Sequence, residues 1–137
     1  MCLIANTVET KDILRRIKNG KVRFWKMFEV DTKGNLYSPY YRRNKVVKAG
    51  WMISDRRGKG IGKNYKSIWD ESVIDRGIYV YNNVERATLK SKAVYLWDST
   101  RAMRVIPVYV KADDFVASGG GQSVFMKVWI NKKDLKA

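Results

Sequence analysis

One cysteine, Cys2, and no histidine leave this chain nothing to fold around except its own apolar side chains. A disulfide within the chain needs two cysteines, and a structural zinc or an iron–sulfur cluster needs several Cys or His ligands. The core must therefore do the work alone, and 137 residues suffice for one core in one domain. Apolar residues make up 45%, with 5 Trp, 8 Tyr and 4 Phe, which separates the chain from the disordered class. A single compact basic domain over residues 1–137 is expected. The missing histidine also removes Ser-His-Asp triads and imidazole general bases.

Periodicity then places the elements. Ile13, Leu14 and Ile17 share a helical face, so Thr10 to Lys18 is expected to be a helix, with Thr10 as cap and Gly20 ending it. Val22 to Val30 alternates as a strand, with Val22, Phe24, Phe28 and Val30 on one face and Lys26 interrupting it. Asp31-Thr32-Lys33-Gly34-Asn35 is turn-forming, and Leu36 to Tyr41 returns as a second strand, with Pro39 at an edge or bulge. Trp51-Met52-Ile53 is an apolar island, and Trp51 is expected in the core. Tyr65 to Ile74 is expected to be a short helix, and Ile78 to Tyr81 a strand. Asn82 and Glu85 have capping-box spacing for a helix. Ala93 to Trp97 and Met103 to Val110 read as strands, the latter at an edge because Pro107 lacks an N–H.

Asp113 to Ala117 resembles one helical turn, and 118–122 a flexible glycine loop. Ser123 to Ile130 is a strand with Val124, Met126, Val128 and Ile130 on one face and Phe125 and Trp129 on the other. Asn131 and Asp134 have the spacing to cap a terminal turn. The expected class is α+β: a mostly antiparallel sheet of five to six strands with two or three short helices.

Charge bears on the partner. Lys and Arg number 28 against 13 Asp and Glu, a formal net charge of +15. Self-repulsion of that size opposes compaction and favours an anionic ligand. The middle of the chain concentrates it, with Arg42, Arg43, Lys45, Lys48, Arg56, Arg57, Lys59, Lys63 and Lys66 set against Asp55. Gly58, Gly60 and Gly62 alternate within a basic stretch, 54–64, read as a flexible loop. It is not a P-loop, because Arg57 stands where the first glycine belongs and Asn64 where the hydroxyl belongs. It is not a dinucleotide loop either, because Lys63 replaces the last glycine. No bound ATP, NAD, other cofactor or metal is expected. Glycines still let backbone N–H groups approach an anion, and the flanking cations release counterions from phosphates.

Aromatics beside such cations stack bases. Tyr40 and Tyr41 are adjacent in a strand, so one faces out, and an exposed tyrosine next to Arg42 and Arg43 suits stacking. The candidate phosphate-binding or nucleic-acid-binding set is Tyr41, Arg42, Arg43, Lys45, Lys48, Arg56, Arg57, Lys59 and Lys63. Asp70, Glu71, Asp75, Asp113 and Asp114 show no convergent spacing, and no serine has a histidine base, so no catalytic residue is assigned.

Two stretches carry a resemblance: Gly77-Ile78-Tyr79-Val80-Tyr81 followed by Glu85-Arg86-Ala87, and Val105-Ile106-Pro107-Val108-Tyr109-Val110 followed by Asp114-Phe115-Val116-Ala117-Ser118-Gly119. Together they resemble small, uncharacterised phage and prophage proteins over the C-terminal half. The resemblance implies a mobile-element accessory acting on nucleic acid or on a host defence pathway. It carries no catalytic residue.

The leading expectation is non-enzymatic nucleic-acid binding through a basic surface. The alternatives are capture of a small phosphorylated nucleotide, a phage-type inhibitor docking on an acidic host protein, and a metal-dependent nuclease. Met1 to Ala5 lacks the basic and long apolar regions of a signal peptide, and no stretch reaches membrane-span length. A cytoplasmic protein without a membrane partner is therefore expected, in the host cytoplasm if phage-encoded.

Overall fold

The computed structural model describes residues 3–20, 23–38, 45–53, 65–66, 72–74, 77–97 and 102–136. A short strand, β1 (Leu3–Ala5), leads into helix α1 (Thr7–Lys18). The helix starts three residues before the expected Thr10, because Asn6 caps it: its Oδ1 accepts the Glu9 N–H at 2.9 Å. Thr10 instead bonds Ser118, donating from Oγ1 to the carbonyl and accepting its N–H, each at 3.0 Å. Ile13 and Ile17 turn to the core as their spacing requires.

Strand β2 (Phe24–Val30) and β3 (Leu36–Tyr37) form the expected hairpin. Asp31 holds the turn: its carboxylate accepts the backbone N–H groups of Lys33 and Asn35, both at 2.9 Å, and the Tyr37 hydroxyl at 3.0 Å. Tyr41, placed by sequence at the end of the second strand, lies outside the described residues. β4 (Gly50–Ile53) follows. The helix expected over 65–74 is not there, since β5 (Tyr65–Lys66) and β6 (Ser72–Ile74) occupy its ends and pair antiparallel, with β6 also pairing β1. Apolar residues spaced on a helical face also serve two short paired strands, and ladder pairing decides between them.

β7 (Ile78–Tyr81) leads to α2 (Val84–Trp97). Asn83, not Asn82, supplies the cap, its Oδ1 accepting the Arg86 N–H at 2.8 Å. The expected strand at 93–97 is the last turn and a half of this helix: no Gly or Pro stands between Val84 and Trp97 to stop it. β8 (Ala102–Val108) pairs along its whole length with β2, from Phe24↔Val108 to Val30↔Ala102. Among the described residues it has no second ladder in that sheet, which suits Pro107.

One 3-10 turn (Ala112–Asp114) precedes β9 (Phe115–Gly119), where the sequence reads one turn through Ala117. The expected flexible loop is instead a tight hairpin from β9 into β10 (Gln122–Phe125), turning on Gly120 and Gly121 at φ 60 and 80. Gly119 itself is crowded, because a Cβ there would lie 1.9 Å from the Ile4 carbonyl oxygen. β11 (Lys127–Ile130) and the short helix α3 (Lys132–Lys136) end the chain.

The expected single strand 123–130 is broken at Met126, whose N–H donates to the Asp114 carbonyl at 2.8 Å. That break reverses the face alternation. Phe125 therefore joins Val128 and Ile130 in the main core, while Val124 joins Leu3 and Ala117 in a second cluster.

The pairings close on themselves. β10 pairs β7, β7 meets β2 at Trp25↔Tyr81, β2 pairs β8, and Tyr109 just beyond β8 bridges Trp129 of β11. β11 continues β10 after its one-residue break, so the sheet curls around its apolar face. Phe24, Phe28, Ile78, Val80, Ile106, Val108 and Phe125 fill the inside, with Phe24 and Phe125 edge to face at 5.0 Å. The fold is α+β, with three helices among the described residues and a mostly antiparallel sheet. α2 covers the outer side of β2 and β8, where Met27 and Ala87 are buried.

Candidate nucleic-acid interface

β4, β11 and the segment after β8 form one outward face. In β11, Val128 and Ile130 are buried, so Lys127 and Trp129 point the other way. In β4, Met52 packs inward and Trp51 and Ile53 face out. The register sets Trp51 opposite Trp129, and Tyr109 bridges Trp129 from the other side through two backbone bonds of 3.0 and 2.7 Å. Three aromatic residues thus form a row across three neighbouring backbones. They are comparably open, at 38% for Trp51, 39% for Trp129 and 37% for Tyr109. The two indoles meet edge to face at 5.3 Å, which fixes their orientation.

Two residues along each strand, the row becomes basic. Lys127 lies opposite Ile53, and Lys111 follows Tyr109 by two on extended backbone. Their ammonium groups sit 4.6 Å and 5.2 Å from the Trp51 ring centroid. Among the described residues, no carboxylate pairs with either lysine; the ion pairs seen there join Asp12 to Arg15 and Arg16 on α1. Lys45 and Lys48 are exposed on the chain that enters β4.

Of the nine residues proposed from sequence, Lys45 and Lys48 are described; they flank the Val46–Val47 stretch that pairs with β3, on the chain leading to β4. Tyr41, Arg42, Arg43, Arg56, Arg57, Lys59 and Lys63 lie outside the described residues, as does the 54–64 loop, which follows Ile53 directly in the chain. The described cations also populate other surfaces, including Lys11 and Lys18 on α1, Lys33 in the hairpin turn and Lys132 and Lys133 on α3. The expectation of Trp51 in the core is corrected: alternation sends Gly50 and Met52 inward and Trp51 out.

Trp129, Tyr109, Lys111 and Lys127 were missed. Their signal is the aliphatic residue between lysine and aromatic, because alternation that turns this valine inward turns both of its neighbours out. Lys127-Val128-Trp129 and Tyr109-Val110-Lys111 both have this form.

One cation points the other way. Lys26 shares the inward face with Phe24 and Phe28, and its ammonium donates to the Tyr79 carbonyl at 2.9 Å. That carbonyl belongs to the part of β7 beyond its one contact with β2. Burial lowers the Lys26 pKa from 10.5 to about 8. Among the described residues, no three metal-ligating side chains come together.

Comparison of the chain with protein-family models, with curated proteins and with solved structures finds no match. The functional reading therefore rests on the residues themselves.

Proposed function

We propose that this protein is a non-enzymatic nucleic-acid binder that takes single strands in preference to duplex on the Trp51–Trp129–Tyr109 face. The observation that carries this reading is the aromatic row bordered by lysines that pair with no carboxylate among the described residues. Paired bases hide their flat faces in the stack, whereas unpaired bases present them to aromatic side chains. Lys111 and Lys127 supply positive charge for the phosphates, and the +15 net charge speeds and strengthens the encounter. A mobile-element accessory role in the host cytoplasm, which the sequence resemblance implies, would suit such a binder.

Fluorescence anisotropy with labelled single-stranded DNA, single-stranded RNA and duplex, each at two salt concentrations, tests the reading. Single strands are expected to bind more tightly than duplex of equal length, with affinity falling steeply as salt rises. Absence of binding to all three at low salt would remove nucleic acid as the ligand. Equal affinity for duplex would remove the aromatic row from the contact.

A further inference from the structure

Helix α2 is built with its large apolar residues outside. The side that lies on β2 and β8 carries small ones: Ala87 is buried, and Ser91 is partly buried with its hydroxyl donating to the Ala87 carbonyl at 3.0 Å. Outside stand Leu89, Leu96 and Trp97, exposed by 65%, 84% and 93%. At 100° per residue these three and Ala93 make a stripe about 100° wide. Lys90 borders it on one side and Lys92 on the other, both exposed. In the first turn this side is charged, with Glu85 one turn before Leu89 and Arg86 in line with Ala93, so the apolar stripe runs from Leu89 to the end of the helix. A surface helix normally turns its apolar stripe to the core, so this arrangement calls for an external cover.

The charge pattern selects the cover. A second copy would bring Lys90 and Lys92 against their own images on a chain that already carries +15. A nucleic acid would satisfy the lysines but leave the leucines against phosphate. An anionic bilayer surface offers both an apolar layer and negative headgroups, and it receives a convex helix without a preformed groove. A basic helix with Leu and Trp on one face is the type that lies in that interface. No spanning length is required, and among the described residues no helix is long and apolar enough to cross a membrane.

We propose that the outward face of α2 seats on anionic lipid surfaces, with Leu89, Leu96 and Trp97 entering the headgroup–acyl boundary and Lys90 and Lys92 meeting the headgroups. This contact is separate from the aromatic row and does not depend on nucleic-acid binding. Co-sedimentation of the full chain with phosphatidylcholine vesicles, pure or containing about 30% phosphatidylserine, tests it.

Association with the phosphatidylserine vesicles and little with the neutral ones is expected. Leu89→Gln with Leu96→Gln should weaken it at least about tenfold, and Lys90→Glu with Lys92→Glu likewise. Oligonucleotide binding by the Leu89→Gln/Leu96→Gln variant should stay unchanged, which shows that the variant is folded. Failure of the wild type to associate at low salt overturns the proposal. So does association that the leucine substitutions leave intact, because the general basic surface then suffices. A dimer of the wild type that Leu96→Gln dissolves also overturns it, since a second copy then covers the stripe.

Discussion

Lys26 sits on the inward face of β2 between two buried phenylalanines, where an apolar side chain would ordinarily stand. Its ammonium has the Tyr79 carbonyl and the Phe28 ring, 5.8 Å away, as partners. Burial disfavours the charged form, hence the lowered pKa of about 8 against 10.5. Between those values the unfolded chain binds more protons than the folded one, so this residue makes stability rise with pH across that window. Below pH 8 the cost of keeping Lys26 charged is present in full. Lys26→Met is therefore expected to raise stability by about 1–3 kcal/mol at pH 7. The gain should shrink steadily as pH climbs toward 10.5. Urea melts of both proteins at several pH values read the difference directly, and a variant less stable at every pH would contradict the account. The sequence showed Lys26 breaking the apolar alternation but not what receives its charge, because β7 is distant in the chain.

Among the elements, the β2–β3 hairpin was the most legible, because its turn chemistry is local. Asp31 organises it: partial desolvation pushes its carboxyl up, and the bonds from the Asn35 backbone, the Tyr37 hydroxyl, the Asn35 amide and the Lys33 backbone together outweigh that and hold it below the usual range. A lowered carboxyl contributes support that is complete above the ordinary Asp pKa and is lost as pH falls through the lowered one. Amide exchange at Lys33 and Asn35 is thus expected to stay slow through mild acid and accelerate once Asp31 protonates. In Asp31→Ala, which removes the acceptor, it should be fast already at neutral pH, and equal protection in both proteins would contradict this role. Elements shaped by distant contacts were less legible. The break at Met126 depends on the Asp114 carbonyl, twelve residues earlier in the chain, so the sequence reads one strand where there are two. Residues 93–97 have strand-like composition, but an uninterrupted helix carries through them.

For the whole molecule, the α+β class followed from alternation and turn residues alone, while closure of the sheet through Tyr109 and Trp129 did not. That closure creates the candidate site, since it brings β4, β11 and the end of β8 side by side with their outward parities aligned. Sequence reasoning followed charge density to the middle segment, whose described cations, Lys45 and Lys48, flank the stretch beside β3. Density along a chain is not density on a surface, and the lysines that border the indoles come from residues 111 and 127. The central claim is that these rings and lysines hold an unpaired strand. Anisotropy titrations of a labelled single strand of about 20 nucleotides against wild type, Trp129→Ala and the Lys111→Gln/Lys127→Gln pair address it most directly. Loss of one stacking ring should weaken binding about tenfold or more. Loss of two phosphate contacts should flatten the salt dependence by a log–log slope of about 1.4. If both variants, folded by circular dichroism, bind with wild-type affinity and salt dependence, the strand is held elsewhere and the account fails.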